Sequence, residues 1–403
     1  MRCLQSRDRN SSSSEGAVAR TQAAPSLLYH REIGERRINT SKSGVARGAL
    51  WAVVSLTAFF TADAFLFRTN WYDAYLEPGS SAGSLELRLD WLRNTRPTTV
   101  PDVLVVGDSR VAEGFSSRTA ALAVEPHLHF WNFGLAGTTP RVWYYALRDA
   151  DPTRRRFAAI VIAMDNYSDE DWFAEFEDRA TDQGYLAMRL GLGDCVDFAA
   201  SMHTMPARYR ALFGCLFRGM ILRNDVQAFI AQPESRIAHA ADWRQNGLGY
   251  IGSYDGKPEN LRGLTIDWQT RTAHFPDGVS DAIRDNVDKF VLPEPVPNTG
   301  ALARYRRRWL GRILDLYKDS STRLVFLQLP RAPLVQPGLQ TPHGFLDSVA
   351  HAPRVTVLPA DTFADLERPE LFADGLHLNR EGRPIFSTRV AEQVDAILNG
   401  GVH

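Results

Sequence analysis

The chain has 403 residues, of which 44% are hydrophobic and 23% are charged, and its formal net charge is -1. This balance is typical of a globular protein with enough apolar material for a core. It excludes the class of nucleic-acid-binding proteins that depend on a strongly basic overall charge.

Cysteine is scarce, with Cys3, Cys195 and Cys215 as the full set. A structural metal site needs four clustered Cys or His ligands, and the sequence has no such cluster. We therefore expect neither a metal nor another cofactor. Cys195 and Cys215 lie in one segment, for which two interpretations stay open: a disulfide, if the segment is exported, or two unpaired thiols.

The N-terminal part combines a polar tail with one apolar stretch. Residues 1–47 are rich in Ser, Arg and Ala, lack apolar periodicity, and carry nine basic and four acidic residues, which predicts a disordered tail. Residues 48–67 then contain a single charge, Asp63. About 20 helical residues span the roughly 30 Å hydrocarbon layer of a membrane, so this length is just sufficient.

We interpret residues 48–67 as an uncleaved transmembrane anchor, with Asp63 near its far end, where a carboxylate costs less than at mid-bilayer. A cleaved signal peptide and a buried core helix are the alternatives. The excess of arginine before the stretch places the tail in the cytoplasm. This predicts a single-pass protein of the inner membrane whose remaining domain lies outside the cytoplasm, in the periplasm.

Five short apolar runs indicate strands that are buried on both faces. Helical patterns separate several of them, one starting with Thr139 as N-cap and Pro140 as first residue. The alternation predicts an α/β fold with three layers (α/β/α), in which helices cover a parallel, five-stranded, flavodoxin-like sheet. The predicted strands are residues 103–106, 128–131, 158–163, 324–329 and 355–358, and the predicted helices are residues 138–149, 301–318 and 379–398.

The domain boundaries follow from these patterns. We expect a linker over residues 68–99 and a catalytic domain formed by residues 100–167 and 320–399. Residues 168–319 are too long for a simple crossover between strands, and residues 246–297 are rich in Gly, Pro, Asn and Asp. This segment is predicted to be an inserted cap or subdomain that ends in a core helix.

A serine follows the first predicted strand in the sequence Val106-Gly107-Asp108-Ser109-Arg110. The crevice of an open parallel sheet lies at the carboxyl ends of its strands, so a tight turn here projects the Ser109 hydroxyl into the crevice. The same letters also form an ordinary turn and helix cap. Ser109 is therefore a candidate nucleophile that needs a partner.

That partner lies near the other end of the chain, in the sequence Asp374-Gly375-Leu376-His377. An aspartate three residues before a histidine accepts a hydrogen bond from the imidazole and leaves its other ring nitrogen to take a proton from a serine. Asn379 is expected to cap the helix that follows. A plain loop histidine is the alternative for His377.

The two segments together resemble the SGNH (GDSL-like) hydrolase superfamily, over residues 100–165 and 320–398. The resemblance implies that Ser109 is the nucleophile and that Asp374 and His377 complete the triad. It also implies an oxyanion hole formed by the amides of Ser109 and a glycine, which is best matched by Gly137, with Gly134 as the fallback.

The third block of the family departs from its pattern here. The family places an asparagine after the third strand as an oxyanion donor, whereas this chain has Asp165 followed by Asn166. We favour Asn166 as the donor, since an ionised Asp165 would repel an oxyanion. Loss of one such donor typically costs about 100- to 1,000-fold in rate. Arg110 is either a contact for an anionic or sugar substrate or a solvated residue at a helix start.

The chemistry implied by these residues is acyl transfer through an acyl-serine intermediate. The N-terminal anchor with an inserted subdomain is also similar to SGNH-like proteins that modify exopolysaccharide or cell-wall polymers with O-acetyl or related groups. This resemblance implies acyl esters of an envelope polysaccharide as the expected substrate. Hydrolysis and transfer to a sugar hydroxyl both remain open. A non-catalytic carbohydrate-binding or assembly protein is one alternative, and a lipase or thioesterase is another.

Overall fold

The computed structural model describes residues 42–95, 99–167, 178–294, 301–338 and 344–400. The chain divides into two compact units, Met1–Val54 and Ser55–His403. In the first unit, the described residues belong to the beginning of one long helix. The second unit contains the sheet and the remaining helices described below.

Five parallel strands form the central sheet of the second unit, in the order β2-β1-β3-β6-β7. The predicted α/β fold with a five-stranded parallel sheet is therefore confirmed. A separate two-stranded antiparallel hairpin consists of β4 and β5. The strands are β1 (Asp102–Gly107), β2 (His129–Gly134), β3 (Ala159–Met164), β4 (Thr265–Asp267), β5 (Thr272–His274), β6 (Arg323–Gln328) and β7 (Val355–Val357).

The strands form because their apolar residues are buried on both sides of the sheet. In β1, Val103 and Val105 belong to one hydrophobic cluster, which also contains residues of the helices Ser117–Ala123 and Gly382–Leu398. Leu104 and Val106 belong to a second cluster, with residues of the helices Pro140–Ala150 and Ala301–Tyr317. The helices in the described residues are α1 (Lys42–Arg68), α2 (Ser81–Asn94), α3 (Ser109–Gly114), α4 (Ser117–Ala123), α5 (Pro140–Ala150), α6 (Ala180–Leu186), α7 (Cys195–Ala200), α8 (Met205–Leu216), α9 (Arg218–Ala231), α10 (Pro233–Gly252), α11 (Asp281–Phe290), α12 (Ala301–Tyr317), α13 (Phe345–Val349) and α14 (Gly382–Leu398).

The predicted helix ends agree with the structure to within three residues. The last helix begins at Gly382 instead of residue 379, because the Asn379 side chain accepts hydrogen bonds from the amides of Glu381 (2.9 Å) and Gly382 (3.0 Å). This is the expected capping role of Asn379. Thr139 does occupy the N-cap of α5, but its hydroxyl lies 2.9 Å from Asp182 Oδ2 and makes no cap bond.

Two segments are more ordered than their composition indicates. Residues 68–99, where we expected a linker, contain α2, whose Leu85 and Leu89 are fully buried in the core. Residues 168–319 contain α6 to α12 and the hairpin in their described parts. Within that segment a disulfide joins Cys195 to Cys215, which decides between the two interpretations left open above.

The apolar stretch near the N-terminus is helical, as expected. It lies in α1, and residues Arg47–Arg68 are long and apolar enough to cross a membrane. No second helix in the described residues meets this criterion.

Candidate active site

Ser109 is the first residue of α3, directly after the turn that ends β1. The turn needs Gly107, because a β-carbon on this residue would lie 2.3 Å from Val111 Cγ2. Asp108 caps α3 by accepting a hydrogen bond from the Arg110 amide at 2.9 Å. Strand, glycine and cap together hold the Ser109 side chain at the carboxyl end of the sheet.

A chain of hydrogen bonds connects the three predicted residues of the triad. His377 Nε2 lies 2.9 Å from Ser109 Oγ. On the other side of the ring, His377 Nδ1 lies 2.9 Å from both carboxylate oxygens of Asp374. The carboxylate favours the tautomer with its proton on Nδ1, so Nε2 is left to accept the proton of the serine hydroxyl.

The loop that carries Asp374 and His377 is held from two directions. Asp374 Oδ1 accepts hydrogen bonds from the amides of Leu376 and His377, each at 2.9 Å. The Gly375 amide donates to Asn286 Oδ1 of α11 at 2.9 Å. A β-carbon on Gly375 would lie 3.0 Å from this same Asn286 oxygen, so the close approach of α11 favours glycine here.

Lys257 is a member of this site that sequence reasoning did not identify. Its Nζ lies 3.2 Å from Asp374 Oδ2 and 2.8 Å from Glu113 Oε2 of α3. Lys257 belongs to the glycine- and proline-rich part of the inserted segment, where no periodicity or motif distinguishes it from other surface lysines. Its backbone also pairs with the segment that follows His377, since the Arg380 amide donates to the Lys257 carbonyl at 2.9 Å.

The charge state of Asp374 follows from these contacts. Burial by itself would raise the pKa of Asp374, but the hydrogen bond and charge of His377, together with the charge of Lys257, hold this pKa well below its usual value. The carboxylate is therefore ionised throughout the neutral range, as an orienting partner for an imidazole must be.

Gly137 and Gly134 occupy different environments in the loop and strand beside the serine. The Gly134 amide already donates to Asn132 Oδ1 at 2.9 Å, and a β-carbon on Gly134 would lie 2.2 Å from the Ala112 nitrogen. Gly134 thus permits α3 to pack on β2. Gly137 instead has φ of +66°, a left-handed conformation that favours glycine. This geometry favours Gly137 over Gly134 as the amide for an oxyanion.

The loop around Gly137 is fixed by its neighbours. The Tyr185 hydroxyl donates to the Ala136 carbonyl at 2.7 Å, and the Thr138 hydroxyl donates to the Leu135 carbonyl at 2.7 Å. Within the part of the chain that the structure describes, the backbone amides of Ser109 and Gly137 have no hydrogen-bond acceptor. Arg179 also borders this loop, because its Nη2 lies 3.8 Å from the point that a β-carbon on Gly137 would occupy.

Asp165 and Asn166 follow β3, the strand on the other side of β1. Arg306 of α12 donates to Asn166 Oδ1 and to Asp165 Oδ1, each at 2.9 Å. The Asn166 side-chain nitrogen lies 3.3 Å from Asp165 Oδ2. Arg306 thus neutralises Asp165 and orients the Asn166 amide with its oxygen toward the arginine.

Arg306 was missed although the sequence contains a signal for it. Leu310, Ile313 and Tyr317 are buried and lie in helical phase with Arg306 on one face of α12. An arginine in that phase is placed on the buried face, where a charge needs a partner. The partner itself, Asp165, lies 141 positions away and is decided by tertiary packing.

The Arg110 side chain points toward Asp108 and not into solvent. Its Nη2 lies 2.6 Å from Asp108 Oδ2, and its side chain is 14% exposed. The interpretation of Arg110 as a solvated residue is therefore wrong. Burial raises the pKa of the Asp108 carboxyl, but the charge and hydrogen bonds of Arg110 outweigh burial and lower it.

Among the described residues, no group of three or more His, Cys, Asp and Glu side chains is arranged to hold a metal ion. No protein-family model and no curated protein matches this chain. Its function is therefore inferred from the residues and their geometry.

Proposed function

We propose that this protein is a serine esterase or O-acyltransferase of the SGNH (GDSL-like) type, with a three-layer, flavodoxin-like catalytic domain. The observation that carries the proposal is the position of His377. Its imidazole lies between Ser109 Oγ and the Asp374 carboxylate at 2.9 Å from each. These are the distances at which a serine is activated by a general base that a carboxylate orients.

The reaction proceeds in two half-reactions. Ser109 Oγ attacks the ester carbonyl carbon while His377 Nε2 takes the hydroxyl proton. The imidazolium then gives this proton to the departing alcohol oxygen, the carbon–oxygen bond of the ester breaks, and an acyl-serine remains. Water or a sugar hydroxyl next attacks the acyl-serine, with His377 again taking a proton and returning it to Ser109.

The negative charge that develops on the carbonyl oxygen requires donors that point at it before the reaction starts. The amides of Ser109 and Gly137 are suited to this, because both follow adjacent strands, β1 and β2, at the same edge of the sheet. The side chain of Asn166, after β3, is proposed as the third donor. Arg306 supports this role by donating to the amide oxygen of Asn166, which orients the amide with its nitrogen away from the arginine and 3.3 Å from Asp165 Oδ2.

The proposed substrate is an acyl ester, most simply an acetyl ester, of an envelope polysaccharide. Two features support a location outside the cytoplasm, in the periplasm of a cell with an inner membrane. One is the helix Arg47–Arg68, which is long and apolar enough to anchor the chain. The other is the Cys195–Cys215 disulfide, since disulfides persist mainly in oxidising compartments.

A non-catalytic carbohydrate-binding protein with the same fold accounts less well for the site. Such a protein has no need of an imidazole within hydrogen-bond distance of both a serine and a buried carboxylate. The contact of Lys257 with Asp374 adds to this, because it stabilises the ionised form that the reaction requires.

The proposal is tested with the full chain in detergent, using p-nitrophenyl acetate as the ester. Ser109→Ala is expected to lower the rate of p-nitrophenyl acetate hydrolysis by at least about 10³-fold. Ser321→Ala, which changes an exposed serine elsewhere, serves as the matched control and is expected to retain full activity.

A fluorophosphonate probe provides a second measurement. Intact mass and peptide mapping are expected to place the phosphonyl group on Ser109 in the wild type and to find none in Ser109→Ala. Equal hydrolysis by wild type and Ser109→Ala, together with no labelling of Ser109, would refute the enzyme proposal. Faster turnover of long-chain esters than of acetate would instead favour a lipase or thioesterase.

A further inference from the structure

Helix α8 exposes a line of large apolar side chains. Met205, Tyr209 and Phe213 are 53%, 56% and 47% exposed and recur at every fourth residue, so they share one helix face. Phe217, the next residue in this spacing, follows the end of α8. We call these four residues the α8 stripe. A row of exposed large apolar side chains on one helix face is the kind of surface that interaction sites present.

The α8 stripe is continuous with the apolar helix α1. The Phe217 ring lies 5.6 Å from the Phe59 ring and 5.8 Å from the Phe60 ring, measured between ring centroids. Met220, in the first turn of α9, is also 53% exposed. The corner between α8 and α9 therefore joins the apolar surface of α1.

Asp63 fixes the level at which this corner meets α1. Its carboxylate is 4% exposed and accepts hydrogen bonds from the amides of Arg218 (3.0 Å) and Gly219 (2.7 Å) at the start of α9. These bonds satisfy the one acidic group in the apolar stretch. The start of α9 is thereby held beside the last turns of α1 and not beyond its end.

The length of the apolar helix restricts where this corner lies relative to a membrane. Helix residues rise about 1.5 Å each, so residues 47–58, which precede the Phe59 contact, span about 18 Å. The hydrocarbon layer is about 30 Å thick. If α1 spans the membrane, residues beyond Phe59 must contribute to the span. The α8–α9 corner lies beside these residues and therefore at the level of the far end of the hydrocarbon layer.

From this geometry we infer that the α8–α9 corner docks into the lipid bilayer beside α1, with the α8 stripe and Met220 at the boundary between headgroups and acyl chains. The inference rests on α1 being a membrane anchor, which belongs to the proposed function. We assign lipid as the partner of this surface because a membrane that surrounds the exposed side of α1 also reaches the side chains that lie next to α1. The exposed Arg208, Arg210 and Arg223 on α8 and α9 suit the headgroup region.

The docking is measured on the full chain in phosphatidylcholine vesicles. Single cysteines are introduced as Tyr209→Cys and Met220→Cys in a Cys3→Ser background, with the Cys195–Cys215 disulfide verified by mass spectrometry, and are labelled with an environment-sensitive fluorophore. Leu122→Cys on α4, with Leu122 62% exposed, is the matched control. Leu56→Cys reports on the anchor itself.

We expect lipids with nitroxide-labelled chains to quench the labels at 209 and 220 at least about twofold more than the label at 122. Aqueous iodide is expected to show the opposite order. Labels at 209 and 220 that behave like the control at 122 would overturn the docking inference while the label at 56 still reports an inserted anchor. A label at 56 that iodide reaches freely would overturn the anchor and the docking inference with it. Ester hydrolysis in detergent tests the catalytic proposal separately.

Discussion

Lys257 Nζ lies 3.2 Å from Asp374 Oδ2, although Lys257 belongs to the segment inserted between β3 and β6. The same ammonium lies 2.8 Å from Glu113 of α3, the helix that begins with Ser109. Lys257 thus connects the inserted segment both to the loop of His377 and to the helix of the proposed nucleophile. The insertion contributes directly to the arrangement of the site.

We predict that Lys257→Met lowers kcat for p-nitrophenyl acetate by about 10-fold, with KM changed little, because the ion pairs of Lys257 with Asp374 and Glu113 make it a positioning residue. Lys257→Arg is expected to restore part of the rate. Lys289→Met, which removes an exposed lysine of α11, is the matched control. An unchanged kcat in Lys257→Met, or a change confined to KM, would contradict this positioning role.

The lowered pKa of Asp374 predicts a pH-dependent stability. A carboxyl whose pKa falls on folding stabilises the protein above the unfolded value of about 3.8 and loses this contribution as pH falls toward the folded value. The melting temperature of the wild type should therefore exceed that of Asp374→Asn at pH 5, and this margin should shrink below about pH 4. The exposed Asp277→Asn is the control, and a margin that does not change with pH would argue against the ionised, paired carboxylate.

Gly137→Ala tests the proposed oxyanion loop. A β-carbon at this position has room, since its nearest described neighbour lies 3.8 Å away, but φ of +66° is unfavourable for alanine. We expect a stability cost of about 1–2 kcal/mol and a loss of kcat of about 10²-fold or more as the amide turns away. Gly193→Ala, which places a β-carbon in open space, is the control. Retention of full kcat would remove Gly137 from the oxyanion site.

Two substitutions distinguish the role of Asn166 from that of Asp165. Asn166→Ala should lower kcat by about 10²- to 10³-fold if its side chain stabilises the oxyanion. Asp165→Asn keeps a partner for Arg306 and should change kcat by less than about threefold. The reverse order of effects would assign the catalytic contribution to Asp165 and exclude Asn166 as the donor.

The disulfide is expected to stabilise the inserted segment. Closing a loop of 20 residues constrains the unfolded chain by about 3 kcal/mol in the entropic model. Replacing both Cys195 and Cys215 by serine should lower the free energy of unfolding by about this amount, whereas Cys3→Ser should leave it unchanged. Equal stability of the two variants under oxidising conditions would show that the disulfide contributes little.

The parallel sheet and the contact between Ser109 and His377 were predictable because their signals are local. Strands buried on both faces have continuous apolar runs, as in residues 103–106, and parallel strands bring the loops at their carboxyl ends to one edge. Gly107, two residues before Ser109, and the three-residue spacing of Asp374 and His377 follow from turn and hydrogen-bond geometry. Distance along the chain does not matter once the sheet order brings these loops together.

Other features depended on packing between distant segments. Lys257 has no local pattern, because an ion pair requires only that two side chains meet, and here 117 positions separate them. The leucines of α2 and the contact of Phe217 with α1 are likewise decided by which surfaces remain uncovered when the sheet and its helices are assembled. The sequence by itself determined the five strands of the central sheet, the capping role of Asn379 and the reactive residue types. The tertiary structure alone decided which distant charges and apolar faces became neighbours, since electrostatic and hydrophobic contacts act through space and not along the chain.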